Sequence, residues 1–172
     1  MGKPFNVIRW YERVRDDLSE MPAAYDYYKE VIQTGAKHVS PVGELERLHQ
    51  EQPGLVHFYG GFQRDAIAVA KYLESLYEVQ YAKKFKWFSS YEAKQEHGDL
   101  KVTDIRNFVQ ADDTLWDLKQ LHLMAKHAED MLTNLCESMT VRGYYITNLK
   151  EIHKHKLEHV QIDAAKDTSD DE

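Results

Sequence analysis

The chain has one cysteine in 172 residues, Cys136. A lone thiol excludes an intramolecular disulfide framework and any multi-cysteine zinc or iron–sulfur site. Chain breakers are scarce too. Eight glycines and four prolines make up about 7% of the chain, against roughly 12% in an average protein. All four prolines (Pro4, Pro22, Pro41, Pro53) lie in the first third, and after Gly61 the glycines are Gly98 and Gly143. A β-sandwich or barrel needs a turn every 8–12 residues or so, which this pattern does not supply. The Gly-rich phosphate loops of nucleotide-binding folds are absent. The longest apolar run, Ala66–Ala70, falls far short of the roughly 20 residues that span a bilayer. The start, MGKPFNVIRW, has neither the apolar stretch nor the cleavage site of a signal peptide. Asn6 stands where myristoylation expects Ser or Thr. The chain is therefore expected to be soluble and intracellular, with no membrane association.

What is present is a helical pattern. The chain is 42% hydrophobic and 30% charged, enough for a core of ordinary size. Asn6 to Leu18 places Ile8, Trp10, Tyr11, Val14 and Leu18 at helical spacing. Pro22 suits the first turn of a second helix, which is expected to stop at Gly35. A short helix over Glu44–Gln52 is expected to end at Pro53-Gly54. From Leu55 to about Glu96 the spacing predicts one long helix. Phe62, Ala66, Val69, Leu73 and Leu76 follow the 4-3-4-3 rhythm of a coiled-coil seam, and Gly98 closes the segment. Val102 to Gln110 reads as a short helix with Thr103 as its N-cap. Asp112 or Asp113 caps the next helix, which is expected to run to Arg142, with Gly143 at C′. Its seam is regular: Leu118, Ala125, Leu132 and Met139 are seven apart, as are Leu121, Ala128 and Leu135. A last helix runs from Tyr144 to about Val160. The expected fold is all-α, with long antiparallel helices in a coiled-coil-like, oligomeric bundle. Its parts would be a helical extension (1–43), a main helical domain (44–162) and a disordered acidic tail (163–172). The Leu118–Met139 and Phe62–Leu76 seams would drive self-association.

Candidate sites are few. His155 and His159, with His153 nearby, could grip a metal on one helix face. Glu46 and His49 form a single Glu-x-x-His pair, where a di-iron bundle needs two. Adjacent carboxylates (Asp112-Asp113, Glu129-Asp130) are as well explained by a helix cap and a solvated face. No nucleophile elbow or kinase signature is present. No catalysis, metal or cofactor is expected.

The formal charge of −7 is not uniform. Residues 83–94 (KKFKWFSSYEAK) carry +3, while the tail 163–172 carries −4. In the basic segment Lys83, Lys84, Lys86 and Lys94 alternate with Phe85, Trp87, Phe88 and Tyr91. Ammonium groups replace phosphate counterions, and an aromatic face stacks on an unpaired base. The pattern fits single-stranded nucleic acid. On composition alone it fits better an amphipathic helix with aromatics in the core and lysines at its edge.

Three stretches together resemble the UvsY-type recombination mediators of T-even-like bacteriophages. Lys84-Phe85-Lys86-Trp87 resembles the family's basic–x–basic–apolar element. Phe108-Val109-Gln110-Ala111-Asp112 followed by Leu115 resembles its entry to a long helix. Arg142-Gly143-Tyr144-Tyr145-Ile146 resembles the hinge before its last helix. The likeness runs from about Leu45 to Leu157. It implies a homo-oligomer in the cytoplasm of an infected bacterial host. Such a protein would bind single-stranded DNA and help load a phage recombinase onto strands covered by single-strand-binding protein. It implies DNA contact for Lys84 and Lys86, beside which the composition of the segment adds Lys83, Trp87, Tyr91 and Lys94; Arg142 is a further candidate, which a place at a helix C-terminus explains as well. Lys86 stands where the best-known member has Arg, which removes a bidentate phosphate contact. The rival reading is a helical scaffold or assembly subunit that acts through protein–protein contacts alone.

Overall fold

The computed structural model describes residues 9–166, except for the side chains of Tyr91 and of residues 157–166. Among the described residues there are six α-helices, one 3-10 turn and no strand. They are α1 (Trp10–Asp16), the turn Leu18–Glu20, α2 (Met21–Val39), α3 (Leu45–Phe88), α4 (Tyr91–His97), α5 (Val102–Gln110) and α6 (Asp113–Lys166). The fold is all-α.

α3 and α6 form an antiparallel hairpin in one unbroken register. Glu46 meets Lys150, Gln52 meets Arg142, Gln63 meets Thr133 and Lys84 meets Asp112. The two numbers of each pair add to 196, or to 194 for Gln52 and Arg142. By the same register Leu45, the first residue of α3, stands opposite position 151, so α6 continues beyond α3. At 1.5 Å per residue the 54-residue α6 is about 80 Å long.

α2 fills the groove of the hairpin, parallel to α6. Tyr25 bonds His127 near one end, and Gly35 meets Leu135 near the other. The core joins all these elements. Trp10, Val14, Met21, Ala24, Tyr28 and Val31 from the N-terminal helices are buried with Phe62, Ala66, Val69 and Leu73 of α3. Leu118, Ala125, Ala128, Leu132, Leu135 and Met139 of α6 complete that core, with Leu121 packed half-buried against it. A leucine buried to this degree is worth about 2–5 kcal/mol over alanine. The expected extension 1–43 and the expected domain from 44 thus share one core across the described residues. The seam expected to carry oligomerisation is covered by α2 and α3 of the same chain.

Several expected helix ends are absent, each for a physical reason. Gly35 does not stop α2. A Cβ there would lie 2.5 Å from Leu135 Cδ2 and 3.0 Å from Tyr59 Cε1, so glycine permits a close helix approach. Pro53 lies inside α3, where it removes one backbone hydrogen bond. The turns before it are held from outside: Lys150 pairs with Glu46 at 3.2 Å, and the Gln52 amide donates to the Met139 carbonyl. Gly143 is no C′ residue, because α6 runs through it. Its missing side chain makes room for Gln52, whose Nε2 would be 3.0 Å from a Cβ. α6 also passes the expected tail boundary at 163 and reaches Lys166; residues 167–172 lie outside the described residues.

The other long helix is shorter than expected at its far end. α3 stops at Phe88, because the Ser90 hydroxyl accepts from the Ala93 N–H and caps a new helix, α4. Gly98 ends α4 at a φ of +78°, a conformation that glycine adopts without strain. α5 begins one residue after Lys101, whose N–H donates to the Asp104 carboxylate at 3.2 Å. Thr103 is therefore not its cap. Asp112 caps α6, accepting from the Leu115 N–H at 3.1 Å. α4 and α5 thereby form the connection at one end of the hairpin. A second apolar cluster sits there: Ile105, Val109 and Leu115, with Tyr77, Tyr81, Phe85, Phe88 and Leu100 packed against it.

Candidate nucleic-acid interface

The last turns of α3 present the basic segment. At about 100° per residue, Lys83 and Lys86 are roughly 60° apart on one flank, opposite the half-buried edge formed by Tyr77, Tyr81 and Phe88. Both lysines are exposed, and neither has an ion pair among the described residues. Trp87 lies beside Lys83 and is 45% exposed. Its ring meets Phe88 edge-on, with centroids 4.8 Å apart, and lies 6.2 Å from His97. Phe88 in turn stacks on Phe108 of α5 at 5.6 Å. The rings form one aromatic cap over the end of the hairpin, with one edge of Trp87 left to solvent.

The remaining expected contacts fall elsewhere. Lys84 turns toward α6, where its Nζ lies 2.5 Å from Asp112 Oδ2. That hydrogen bond is the main reason the Asp112 carboxyl is held below its usual value, with help from the Thr114 hydroxyl. Lys94 belongs to α4, not to the face that carries Lys83, and pairs with Asp99 at 3.1 Å. The Tyr91 side chain lies outside the described residues. Arg142 is 6% exposed and donates to the Gln52 amide oxygen. From Gln52 to Lys86 along α3 is about 50 Å, so Arg142 is remote from the basic segment as well as buried. The structure thus keeps Lys83, Lys86 and Trp87 together at the surface, pairs Lys84 with Asp112 and buries Arg142 against Gln52.

Between α3 and α5 lies an open groove of about 630 Å³, lined by Tyr81, Ala82, Phe85, Lys86, Arg106 and Gln110. The Tyr81 and Phe85 rings lie nearly parallel, with centroids 6.4 Å apart. Arg106 is exposed. Arg106 lies outside the basic segment, and the sequence pattern marks Gln110 as a helix end and as part of the helix-entry stretch, not as a binding residue. The available signal was their spacing: four apart on a short helix, they share a face.

A second unread site is structural. Asp65 of α3 accepts from the N–H groups of Trp10 and Tyr11 at 2.9 and 3.3 Å, so it caps α1 from another helix. It also accepts from the Tyr28 hydroxyl at 2.8 Å. Burial and the adjacent Asp65 charge push the Tyr28 hydroxyl pKa far up.

Other candidates remain dispersed. Among the described residues no three His, Cys, Asp or Glu side chains gather to hold a metal. The His159 side chain lies outside the described residues. Cys136 is packed against the core, and burial pushes its thiol pKa up. No described helix is long and apolar enough to cross a membrane.

The fold and surface together define an all-α helical-hairpin protein with a cationic–aromatic end. No family model matches the chain, and neither curated proteins nor solved structures give a match.

Proposed function

We propose that this chain is a recombination mediator of the UvsY type, and that its hairpin end binds single-stranded DNA. The observation that carries the reading is the pairing of two unneutralised lysines, Lys83 and Lys86, with a half-exposed Trp87 on the last turns of α3. The lysines release counterions from phosphate, and the indole stacks on an unpaired base. The protein acts without catalysis and without a cofactor. It helps a phage recombinase onto strands covered by single-strand-binding protein, in the cytoplasm of the infected host. Each strip is weak, so a homo-oligomer gains by holding one strand at several points. Its contacts lie outside the Leu118–Met139 seam, which the chain itself fills.

A scaffold acting only through protein contacts is the second reading. Trp116 and Leu123 favour it: they lie seven apart on α6 and are 56% and 50% exposed.

Fluorescence anisotropy separates the two. A labelled oligo-dT and a duplex of equal length are titrated at low salt. The mediator reading predicts tighter binding of the single strand, weakened in Lys83→Ala/Lys86→Ala. Absence of binding by the unaltered protein removes that reading and leaves the scaffold.

A further inference from the structure

We infer that the groove between α3 and α5 is a subsite for one unpaired nucleotide of the bound strand; the inference rests on the DNA-binding reading above. The groove has the three components such a site needs. Its floor is aromatic, with Tyr81 and Phe85 nearly parallel. These rings are fixed from behind, because both pack against Ile105, Val109 and Leu115. A fixed ring loses little entropy when a base stacks on it, and such stacking tolerates every base.

Its rim is cationic. Lys86 comes from α3 and Arg106 from α5, and neither has an ion pair among the described residues. Among the described residues no carboxylate lines the groove. A guanidinium presents a planar fork that grips a phosphate through two bonds, whereas an ammonium acts as a point charge. Arg106 thus supplies the bidentate contact that Lys86 cannot make. Ala82 keeps the floor accessible, since its methyl group leaves the rings uncovered. Gln110 has a donor and an acceptor at one amide, suited to the edge of a stacked base.

The path is continuous. Lys83 and Lys86 are neighbours on α3, three residues apart. A backbone held at Lys83 therefore reaches the groove at Lys86, and the next base enters it. Duplex DNA keeps its bases stacked inside and has none to place there, so the groove selects single strands.

The test is photo-cross-linking of the full chain to oligo-dT carrying one 5-iodouracil, with adducts mapped by mass spectrometry. The expected adduct is on Tyr81 or Phe85. In parallel, Arg106→Ala is expected to weaken oligo-dT binding about five- to tenfold at low salt, as loss of a phosphate contact does. Arg106→Lys should restore part of this. Arg106 is exposed, so the variant keeps the fold, which an unchanged melting temperature verifies. If the unaltered protein binds the strand but cross-links only at Trp87, and Arg106→Ala binds as tightly as the parent, the groove assignment is overturned while the DNA-binding reading stands. If the unaltered protein binds no single strand, both fall.

Discussion

Lys84 and Asp112 stand 2.5 Å apart at the connected end of the α3–α6 hairpin, 28 positions apart in sequence. Asp112 also caps α6 through the Leu115 N–H. One carboxylate therefore starts a helix and ties it to its partner. The pair joins two of the stretches that carry the phage-mediator resemblance, Lys84-Phe85-Lys86-Trp87 and the segment ending at Asp112. Lys84 is bound within the chain, and the unpaired charge of the strip rests on Lys83 and Lys86.

Asp112→Ala removes both roles. The expected cost is about 1–2 kcal/mol, mostly from the lost cap. Asp112→Asn keeps a capping oxygen and should recover most of it. Lys84→Ala breaks only a partly solvated pair and should cost less than about 1 kcal/mol. The pH dependence follows from the depressed carboxyl. Its stabilising effect is complete above the usual value of 3.8 and is lost as pH falls through the lower folded value. Urea titrations at several pH values check this: the parent and Asp112→Ala should converge in acid.

Two glycine substitutions should have opposite signs. Gly35→Ala places a methyl 2.5 Å from Leu135 Cδ2. Overpacking of this kind costs about 1–3 kcal/mol, more than the gain in helix propensity. Gly61→Ala has nothing within 4 Å and should stabilise by about 0.5–1 kcal/mol. Denaturant midpoints at constant m-value measure both.

The Asp65 cap makes α1 depend on α3. Asp65→Ala leaves the buried Tyr28 hydroxyl and two α1 N–H groups without their acceptor, at about 1–3 kcal/mol for the buried hydroxyl alone. Tyr28→Phe removes the hydroxyl and keeps the cap, so it should cost less. Hydrogen exchange is the discriminating readout. The Trp10 and Tyr11 amides should lose protection in Asp65→Ala and retain it in Tyr28→Phe.

Legibility in the sequence followed the range of the interaction. The α5 bounds Val102–Gln110, and a cap of α6 at Asp112 or Asp113, are readable because local residues set them; the structure selects Asp112. The seven-residue spacing from Leu118 to Met139 identified the buried face of α6, but periodicity does not say what covers a face. The cover proved to be α2 and α3 of the same chain. Gly35, Pro53 and Gly143 look like breaks in the sequence because their local propensities oppose helix. Tertiary contacts with residues distant in sequence accompany each of them: Leu135 lies against Gly35, Gln52 against Gly143, and Gln52, next to Pro53, bonds the Met139 carbonyl. The same limit applies at the candidate site. Composition shows the basic segment, whereas the partners that occupy Lys84 and Arg142 lie 28 and 90 positions away from them. Arg106 was missed because only the α3–α5 packing brings it beside Lys86.

The most direct test of the account is the salt dependence of oligo-dT affinity, for the parent and for Lys83→Ala/Lys86→Ala, with Lys84→Ala and Arg142→Ala as comparisons. Each phosphate neutralised on a single strand contributes about 0.7 to the slope of log affinity against log salt. The account predicts salt-sensitive binding by the parent and a slope lower by about 1.4 in the Lys83/Lys86 variant. Lys84→Ala and Arg142→Ala should leave the slope unchanged. A slope that the Lys83/Lys86 variant leaves intact, or one that Lys84→Ala alone lowers, would contradict it.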